Sequence, residues 1–421
     1  MVHSIGPKNT DDTQPAPSSP SAFQLPSFRR YWIARLCGIL ATQMQGVAIG
    51  WQVYDMTQSP LDLGYVGLAQ FLPALCLTLV TGHVADRYDR RRVLALCTFV
   101  EAGCALLFLN LTLSGNTDTR VIFALLFLFG LAKAFEFPAA ISLMPNLVPP
   151  HQFVNAAAWN SSAWQVATIA GPAIGGVLYA FGPLVVYSCC GLLFLVSSVL
   201  MNFVRYERVV TERKAATWAS VMAGITFIRQ QPLVLGAISL DLFAVLLGGA
   251  TALLPIYARD ILHVGPWGLG LLRSAPAVGA LSMAIWLARH PITTRAGSRL
   301  LGAVAVFGGA TIGFGVSHSV MLSLIMLVTL GAADMVSVVV RRVLVQVATP
   351  DTMRGRVSAV ESVFIGASNE LGEFESGLTA AWFGVVPAVV LGGAGTIGIV
   401  VLWASLFPQL RRVDSLDMRV S

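Results

Sequence analysis

The sequence predicts an all-α membrane protein with twelve transmembrane helices in two pseudo-symmetric six-helix bundles. Of the 421 residues, 56% are hydrophobic and 11% are charged, and the mean hydropathy is +0.73. About a quarter of the residues in a soluble domain are charged, so this composition indicates a polytopic membrane protein. The number of long apolar stretches and an internal repeat then predict how many helices there are and how they are arranged.

Each predicted transmembrane span is a run of about 20 mainly apolar residues. A helix of that length satisfies its own backbone hydrogen bonds across about 30 Å of hydrocarbon. Twelve stretches meet this requirement, and they are numbered here as spans 1 to 12. Their cores are residues 32–54, 64–83, 93–113, 120–142, 156–180, 184–204, 233–257, 267–288, 299–317, 320–343, 356–380 and 385–407.

The basic residues of the loops predict the orientation. If both termini are cytoplasmic, the outer loops receive only Arg120 and Arg259, and the cytoplasmic loops and tails receive the other loop arginines and lysines. Such a bias is typical of cytoplasmic loops. We therefore predict a multi-pass protein of the bacterial cytoplasmic (inner) membrane with both termini inside. The net charge of +6 follows from this asymmetry, so no nucleic-acid partner is predicted.

An internal repeat divides the chain into halves. A shift of 201 to 203 residues places Gly67 on Gly270, Pro73 on Pro276 and Gly130 on Gly331, and "GPAIGG" (171–176) on "GEFESG" (372–377). The predicted organisation is a disordered cytosolic tail (1–30), an N-terminal bundle (31–204), a cytoplasmic linker with an amphipathic helix (205–232), a C-terminal bundle (233–407) and a cytosolic tail (408–421). Parallel six-helix repeats are typical of transporters that bind substrate between their halves.

Two motifs carry a resemblance to the major facilitator superfamily. "GHVADRYDRRR" (82–92) is similar to the motif Gly-x-x-x-Asp-Arg-x-Gly-Arg-Arg that follows span 2 in that superfamily, with Asp89 in place of the usual glycine. "AGPAIGG" (170–176) resembles the Gly-Pro-x-x-Gly-Gly motif of its proton-coupled exporters. The stretch "WQVYDMTQSPLDLGYVGLAQFLPAL" (51–75) further resembles the enterobactin-exporter and drug-efflux branch.

The resemblance implies that the first motif is a gate. Its members here are Gly82, Asp86, Arg87, Arg90 and Arg91. Asp86 is expected to meet the start of span 11, where the chain offers Arg354 and Arg356. This latch would hold on the cytoplasmic side in the outward-facing state and break when the transporter faces inward.

The second motif places Gly171, Pro172, Gly175 and Gly176 in span 5. Proline removes a backbone donor and glycines allow close helix packing, so one reading is a packing kink alone. The resemblance to exporters is the main ground for predicting efflux instead of uptake.

In the superfamily, spans 1, 4, 7 and 10 line the central cavity, and ionisable groups within spans are functional candidates. Lys133 and Asp334 are related by the repeat, so we expect a charge pair between the halves, with two merely solvated charges as the alternative. The polar and charged cavity residues of these four spans are Gln43, Gln45, Lys133, Glu136, Asp241, Asp334, Arg341 and Arg342.

Two acids lead the candidates for proton coupling. Asp241 has no basic residue within four positions, so apolar surroundings are expected to favour its protonated form. Glu136 comes second, because Lys133 at the i,i+3 spacing could hold it ionised; Asp334 is a third candidate. In span 11, Glu370 and Glu373 share a face and could be neutralised by Arg341 or Arg342, either as a structural network or as a substrate site.

The predicted function is secondary export of a small amphipathic molecule against proton entry. Uptake by symport, dedicated siderophore export, lysolipid movement and a non-transport receptor remain open. The sequence contains no HExxH, GxSxG or Walker motif, so no enzyme is predicted. No metal or other cofactor is predicted either, because the six cysteines lie in or beside apolar runs without CxxC spacing. The expected partners are a small-molecule substrate, protons and the lipid bilayer, and the protein is expected to be a monomer.

Overall fold

A computed structural model describes residues 21–115, 118–206 and 218–414. Over these ranges the regular secondary structure is helical, which confirms the prediction of an all-α membrane protein. Twelve long helices, labelled α1 to α12, follow the order of the predicted spans. They are Pro26–Thr57, Pro60–Arg87, Arg90–Leu113, Thr119–Leu143, Phe153–Ala180, Pro183–Asn202, Pro232–Leu247, Gly265–Arg289, Ala296–Gly315, Val320–Ala348, Asp351–Phe383 and Val385–Leu406.

Ten of the described helical segments are long and apolar enough to cross a membrane; α5 and α11 are the two long helices outside that group. Polar residues explain the difference, since α5 contains "WNSSAWQ" and α11 carries four glutamates within residues 361–375. Both helices are covered by others, α5 by α1 and α8, and α11 by α2 and α7. Each of these two helices therefore packs against a helix of its own half and a helix of the other half.

Proline marks the beginning of several helices. Pro26, Pro60, Pro183 and Pro232 are each the first residue of their helix, where the missing N–H costs no intrahelical hydrogen bond. The hydroxyl of Ser59 also caps α2 by accepting a hydrogen bond of 3.3 Å from a first-turn N–H. The chain thus reverses direction sharply between consecutive spans.

The seventh span is continuous but irregular. After α7 ends at Leu247, the chain forms a 3-10 turn at Ala250–Leu253, one α turn at Leu254–Ile256 and a π turn at Tyr257–Ile261. Two consecutive glycines and Pro255 lie in this stretch, and both residue types interrupt a regular helix. The span consequently runs from Pro232 to Ile261.

The ends of the halves are packed onto the bundles. Ala22 and Phe28 are fully buried, so the described part of the predicted 1–30 tail belongs to the folded protein, and residues 1–20 lie outside the described residues. The helix Trp218–Gln230, called the linker helix, packs on α11, where a Cβ on Gly224 would lie 2.9 Å from the carbonyl oxygen of Arg356. At the C-terminus, the N–H of Gly297 donates to the carbonyl of Val413 at 3.1 Å. Residues 415–421 are again outside the described part.

The repeat is visible in helix packing. Gly130 on α4 lies against the backbone of Gln70 on α2, and its repeat partner Gly331 on α10 lies against the backbone of Pro276 on α8. A side chain at either glycine would separate the two backbones. The beginning of α1, the α2–α3 connection, the end of α6 and the linker helix share one end of the bundle. This end is called the linker side below, and the other end is called the opposite side.

Candidate transport site

The apolar core is continuous between the halves on the opposite side and divided on the linker side. One cluster contains Val53 of α1 together with Leu254 of the seventh span. On the linker side, one cluster lies around Leu94 in the N-terminal half and another around Leu344 in the C-terminal half. The two halves are therefore packed together at one end and separated at the other.

Polar contacts complete the seal on the opposite side. The hydroxyl of Tyr54 at the end of α1 is hydrogen-bonded to Asp260 in the π turn of the seventh span. Next to them, Nη1 of Arg259 lies 2.7 Å from Oδ1 of Asp55. Both interactions join the N-terminal half to the C-terminal half, so separating the halves here would break them.

Glycines bring the helices of the two halves close together. A Cβ on Gly64 of α2 would lie 3.1 Å from the carbonyl oxygen of Phe374 on α11, and one on Gly377 would lie 3.0 Å from Cα of Gly64. The corresponding contact is that of α5 with α8, where a Cβ on Gly176 would lie 2.9 Å from Cα of Gly270. Gly377 follows Gly176 by 201 residues, so one glycine of each contact is related to the other by the repeat.

The span 5 motif lies at this interface. A Cβ on Gly175 would lie 2.7 Å from Cα of Met44, and one on Gly171 would also meet α1, at Cβ of Gln43. The carbonyl oxygen of Pro172 lies close to Gly270 on α8. The motif therefore lets α5 pack tightly on a helix of its own half and on a helix of the other half.

The structure is open on the linker side. A Cβ on Gly82, near the end of α2, would have no described atom within 4 Å, and Arg87 is exposed. Between α10 and α11, a cavity of about 360 Å³ opens at this end. It is lined by Arg342, Val345, Gln346, Thr349, Arg354, Val357, Ser358, Glu361, Ser362 and Ile365.

The predicted latch would join Asp86 to the start of α11, where Arg354 and Arg356 have local partners among the described residues. Arg354 pairs with Asp351, one turn earlier on α11, at 2.5 Å. The guanidinium of Arg356 donates to the sulfur of Met353 at 3.5 Å. The side chain of Asp86 lies outside the described residues.

The other motif arginines hold the N-terminal half together. Arg90 donates to the carbonyl of Ser142 at 3.4 Å, and Arg91 donates to the carbonyl of Val204 at 3.1 Å. Asp89, at the position where the superfamily motif has glycine, caps α3 by accepting from the N–H of Arg91 at 3.0 Å. The departure from the motif thus has a local structural role.

Arg341 connects two acids in the C-terminal half. Its Nη1 is hydrogen-bonded to Oδ2 of Asp241 on α7, and its Nε lies 3.8 Å from Oε1 of Glu361 on α11. The side chains of Arg341 and Asp241 are only 3% and 8% exposed. The expectation that Asp241 has purely apolar surroundings is therefore wrong, because its cation comes from another helix.

Asp334 and Arg342 face different cavities. Asp334 lines a small cavity together with Asp241 and Ser337, whereas Arg342 lines the large open cavity. Among the described residues, neither forms an ion pair within 4.0 Å. The predicted pair between Lys133 and Asp334 is thus not formed in this conformation.

A second buried ion pair lies in the N-terminal half. Arg35 of α1 is hydrogen-bonded to Glu136 of α4, and both side chains are 10% exposed. Lys133, expected to hold Glu136 ionised, instead donates to the hydroxyl of Thr42 at 3.2 Å and lies over the ring of Phe129. The partner of Glu136 is therefore an arginine that the sequence analysis did not select.

The two glutamines predicted for the cavity differ in their surroundings. Gln43 is half-buried and contacts the α5 glycine described above. Gln45 is fully buried, and both polar atoms of its side chain lack a hydrogen-bond partner. Leaving such atoms unpaired costs about 1–3 kcal/mol.

Glu370 and Glu373 lie at the interface between the halves. A Cβ on Gly67 of α2 would lie 2.8 Å from Oε2 of Glu373 and 3.1 Å from Oε2 of Glu370. Arg273 of α8 is a neighbouring cation of both acids, and Lys133 of α4 is a second one of Glu370. Nη1 of Arg273 donates to the carbonyl of Gly46 at 3.2 Å. The expectation that Arg341 or Arg342 neutralises these two acids is therefore wrong.

Arg35, Arg273 and Asp260 were missed by sequence reasoning. Each belongs to a predicted span or borders one, and an ionisable residue there is a functional signal by itself. The sequence does not indicate the partner of such a residue, because Arg35 and its partner Glu136 are 101 residues apart in the chain.

Within residues 21–115, 118–206 and 218–414, no group of three or more His, Cys, Asp or Glu side chains is placed to hold a metal ion.

Two pseudo-symmetric six-helix halves, packed together at one end and separated at the other, form the architecture of the major facilitator fold. A profile of the family described as "transmembrane secretion effector" matches residues 17–421. The chain belongs to this family and is a multi-pass membrane transporter.

Curated relatives cover most of the chain at low identity. The chain is 25% identical over 398 residues to a protein named enterobactin exporter EntS from Citrobacter koseri, covering 92% of this chain and 93% of that protein. It is 27% identical over 379 residues to the uncharacterized MFS-type transporter YfiS of Bacillus subtilis, covering 85% of this chain and 88% of that one.

Solved structures share the fold. The nucleoside transporter NupG superposes with a TM-score of 0.70 at 13% identity, covering 90% of this chain and 99% of that chain. A bacterial homologue of the iron transporter ferroportin in its inward-facing state superposes with a TM-score of 0.66 at 18% identity, covering 92% and 99%.

Proposed function

We propose that this transporter exports small amphipathic molecules, of drug or siderophore type, across the bacterial inner membrane in exchange for protons. The buried ion pair of Asp241 and Arg341 is the observation that carries this proposal. Similarity to proteins named enterobactin exporter supports outward transport. The basic loops support cytoplasmic termini, and the linker side is then the cytoplasmic side.

The separation of the two halves on the linker side supports alternating access with the cytoplasmic side open. A molecule would enter between the halves from the linker side, where the cores of the halves are separate. Export would require the seal around Tyr54 and Asp260 to open and the linker side to close. The gate motif would then join Asp86 to Arg354 or Arg356, as the superfamily resemblance implies.

Proton coupling would act through a change of partner by Arg341. When Asp241 is ionised, Arg341 neutralises it. When Asp241 takes up a proton, that carboxyl no longer needs the cation, and Arg341 can pair with Glu361, which already lies 3.8 Å from Nε. Because the three residues lie on α7, α10 and α11, the exchange would shift these helices relative to one another. Asp334, beside Asp241, and Glu136 are the further coupling acids.

Flux into inverted membrane vesicles tests the proposal. An imposed pH gradient energises the vesicles, and dyes, antibiotics and catechol siderophores serve as test compounds. We expect accumulation that requires the gradient and is lost in Asp241→Asn, while the variant Asp414→Asn, at an exposed acid near the C-terminus, stays active. Gradient-dependent flux that is equal in Asp241→Asn would move the coupling site to Glu136 or Asp334. Absence of flux for every compound would contradict export.

A further inference from the structure

Glu101 on α3 is a buried acid that the proposed mechanism does not use. Its side chain is 0% exposed, and both carboxyl oxygens lack a hydrogen-bond partner among the described donors. Its charged neighbours are Glu136 and Lys133 on α4 and Arg35 on α1. An ionised carboxylate without a partner is costly in the interior of a membrane protein, so its surroundings require an explanation.

The nearby cations do not pair with Glu101. Nη1 of Arg35 is engaged by Glu136, and Nε of Arg35 is buried without a partner. Lys133 is half-buried and donates to Thr42. No ion pair within 4.0 Å involves Glu101 among the residues described.

The other groups around Glu101 are uncharged at neutral pH. On α3 itself, Cys97 and Cys104 are buried thiols within about one turn of Glu101. Tyr31 on α1 lies beside the pair of Arg35 and Glu136 and donates to the carbonyl of Ala140. On α6, which packs against α3, Ser198 donates to the carbonyl of Ala95. Two acids therefore share one closely bound arginine in this part of the core.

The C-terminal half also has a buried arginine next to two acids, but its second acid lies on the fifth helix of the six, whereas Glu101 lies on the third. There, Arg341 is hydrogen-bonded to Asp241, its Nε lacks a partner, and the second acid Glu361 has a buried, unpaired Oε1. In both halves the engaged pair joins the first and fourth helices of the six, α1 with α4 and α7 with α10. In the N-terminal half the arginine lies on the first helix and the acid on the fourth, whereas in the C-terminal half the acid lies on the first helix and the arginine on the fourth.

We propose that Glu101, together with Glu136 and Arg35, forms a second proton-binding site inside the N-terminal half. One proton lies between the two carboxyl groups: the protonated Glu101 donates to the carboxylate of Glu136, which also accepts from Arg35. On deprotonation, the proton leaves Glu101 by way of Glu136, which is 8% exposed, to the water between the halves. The freed carboxylate then accepts from Nε of Arg35. Whether this site binds a proton does not depend on the proposed export. A role of the site in proton coupling does rest on the proposed export function.

Infrared spectroscopy of the purified full-length protein in lipid nanodiscs tests the site without any ligand. The band measured is the deuterium-sensitive carbonyl stretch of protonated carboxyl groups at pH 7. We expect Glu101→Gln to lose one carboxyl equivalent. Glu136→Gln is expected to lose the same amount, because Glu101 would then ionise against Arg35. Arg35→Gln is expected to gain one equivalent, and Asp351→Asn, with an exposed acid, is expected to match the wild type.

Two results would overturn the proposal. An unchanged band in Glu101→Gln would mean that Glu101 is ionised. If that variant does not fold as a monodisperse protein, an unchanged band in Glu136→Gln would decide against the site in the same way. Failure of the export proposal would appear in the vesicle flux and would leave these bands unaffected.

Discussion

Arg341 is hydrogen-bonded to Asp241 through one nitrogen and faces Glu361 across 3.8 Å through another. Nε of the arginine and Oε1 of the glutamate are both buried without a hydrogen-bond partner. The arginine therefore has a second partner already in position. Such an arginine can change from one acidic partner to another without moving its charge into hydrocarbon, and a proton-coupled transporter needs this property.

Stability should reflect this second partner. In Asp241→Asn, Arg341 can move to Glu361, whereas Arg341→Gln leaves two buried acids without their cation. Breaking a buried pair by removing one partner costs about 3–5 kcal/mol, so we expect Arg341→Gln to unfold at a clearly lower temperature than Asp241→Asn. Thermal unfolding of the purified variants measures this difference, and equal temperatures would argue against the second pairing.

The α5–α8 contact should be intolerant of side chains. A Cβ on Gly270 would meet the carbonyl of Pro172 and Cα of Gly176, so Gly270→Leu should hold the two halves apart on the opposite side. Overpacking costs about 1–3 kcal/mol, and flux should fall by about tenfold or more. Gly302→Leu is the control, since a Cβ on Gly302 has no described atom within 4 Å. Equal flux in the two variants would show that this contact does not limit transport.

The gate motif predicts opposite effects for two acids. Asp351 occupies Arg354 in the linker-side-open state, and Asp86 is predicted to bind at the start of α11 when that side closes. We expect Asp86→Asn to slow flux and Asp351→Asn to increase the population closed on the linker side. Accessibility of Ser358→Cys to a thiol reagent in a Cys76→Ala background measures that population. Identical labelling rates in wild type, Asp86→Asn and Asp351→Asn would contradict the latch.

The polar seal predicts that its ion pair is dispensable for folding but not for closure. Because Arg259 and Asp55 are each about one third to one half exposed, their pair adds little stability. Asp55→Asn should therefore leave the unfolding temperature almost unchanged while raising access to the cavity from the opposite side. Labelling of Gly46→Cys from that side, with Asp62→Asn as a matched control, checks the second part. Unchanged labelling would assign the seal to the glycine contacts alone.

The sequence predicted the fold far better than the pairing of charges. Apolar length and loop charge determine how many spans there are and where they end, and the repeat identified Gly130 and Gly331 before their packing was known. Within one helix, spacing indicates neighbours, which is why Lys133 was assigned to Glu136. The actual partner is Arg35, and that contact depends on how α1 and α4 rotate about their axes, which a single sequence does not specify.

The sequence also did not predict the interruption of the seventh span. Its apolar core predicts one continuous helix, whereas the Gly248–Gly249 pair and Pro255 divide it into short turns. Those turns place Asp260 and Arg259 beside the end of α1. The seal of the opposite side thus depends on local irregularity that hydrophobicity alone does not report.

The central claim is that protonation of Asp241 controls which side is open. Spin labels at His151→Cys and Thr352→Cys, in a background without the native cysteines, report the distance between the halves on the linker side. An antiporter that brings protons to this side must favour the linker-side-open state when protonated. We therefore predict that acidification lengthens the distance in the wild type and that Asp241→Asn keeps the long distance at every pH. A distance that follows pH equally in Asp241→Asn, or does not respond to pH in the wild type, would contradict the account.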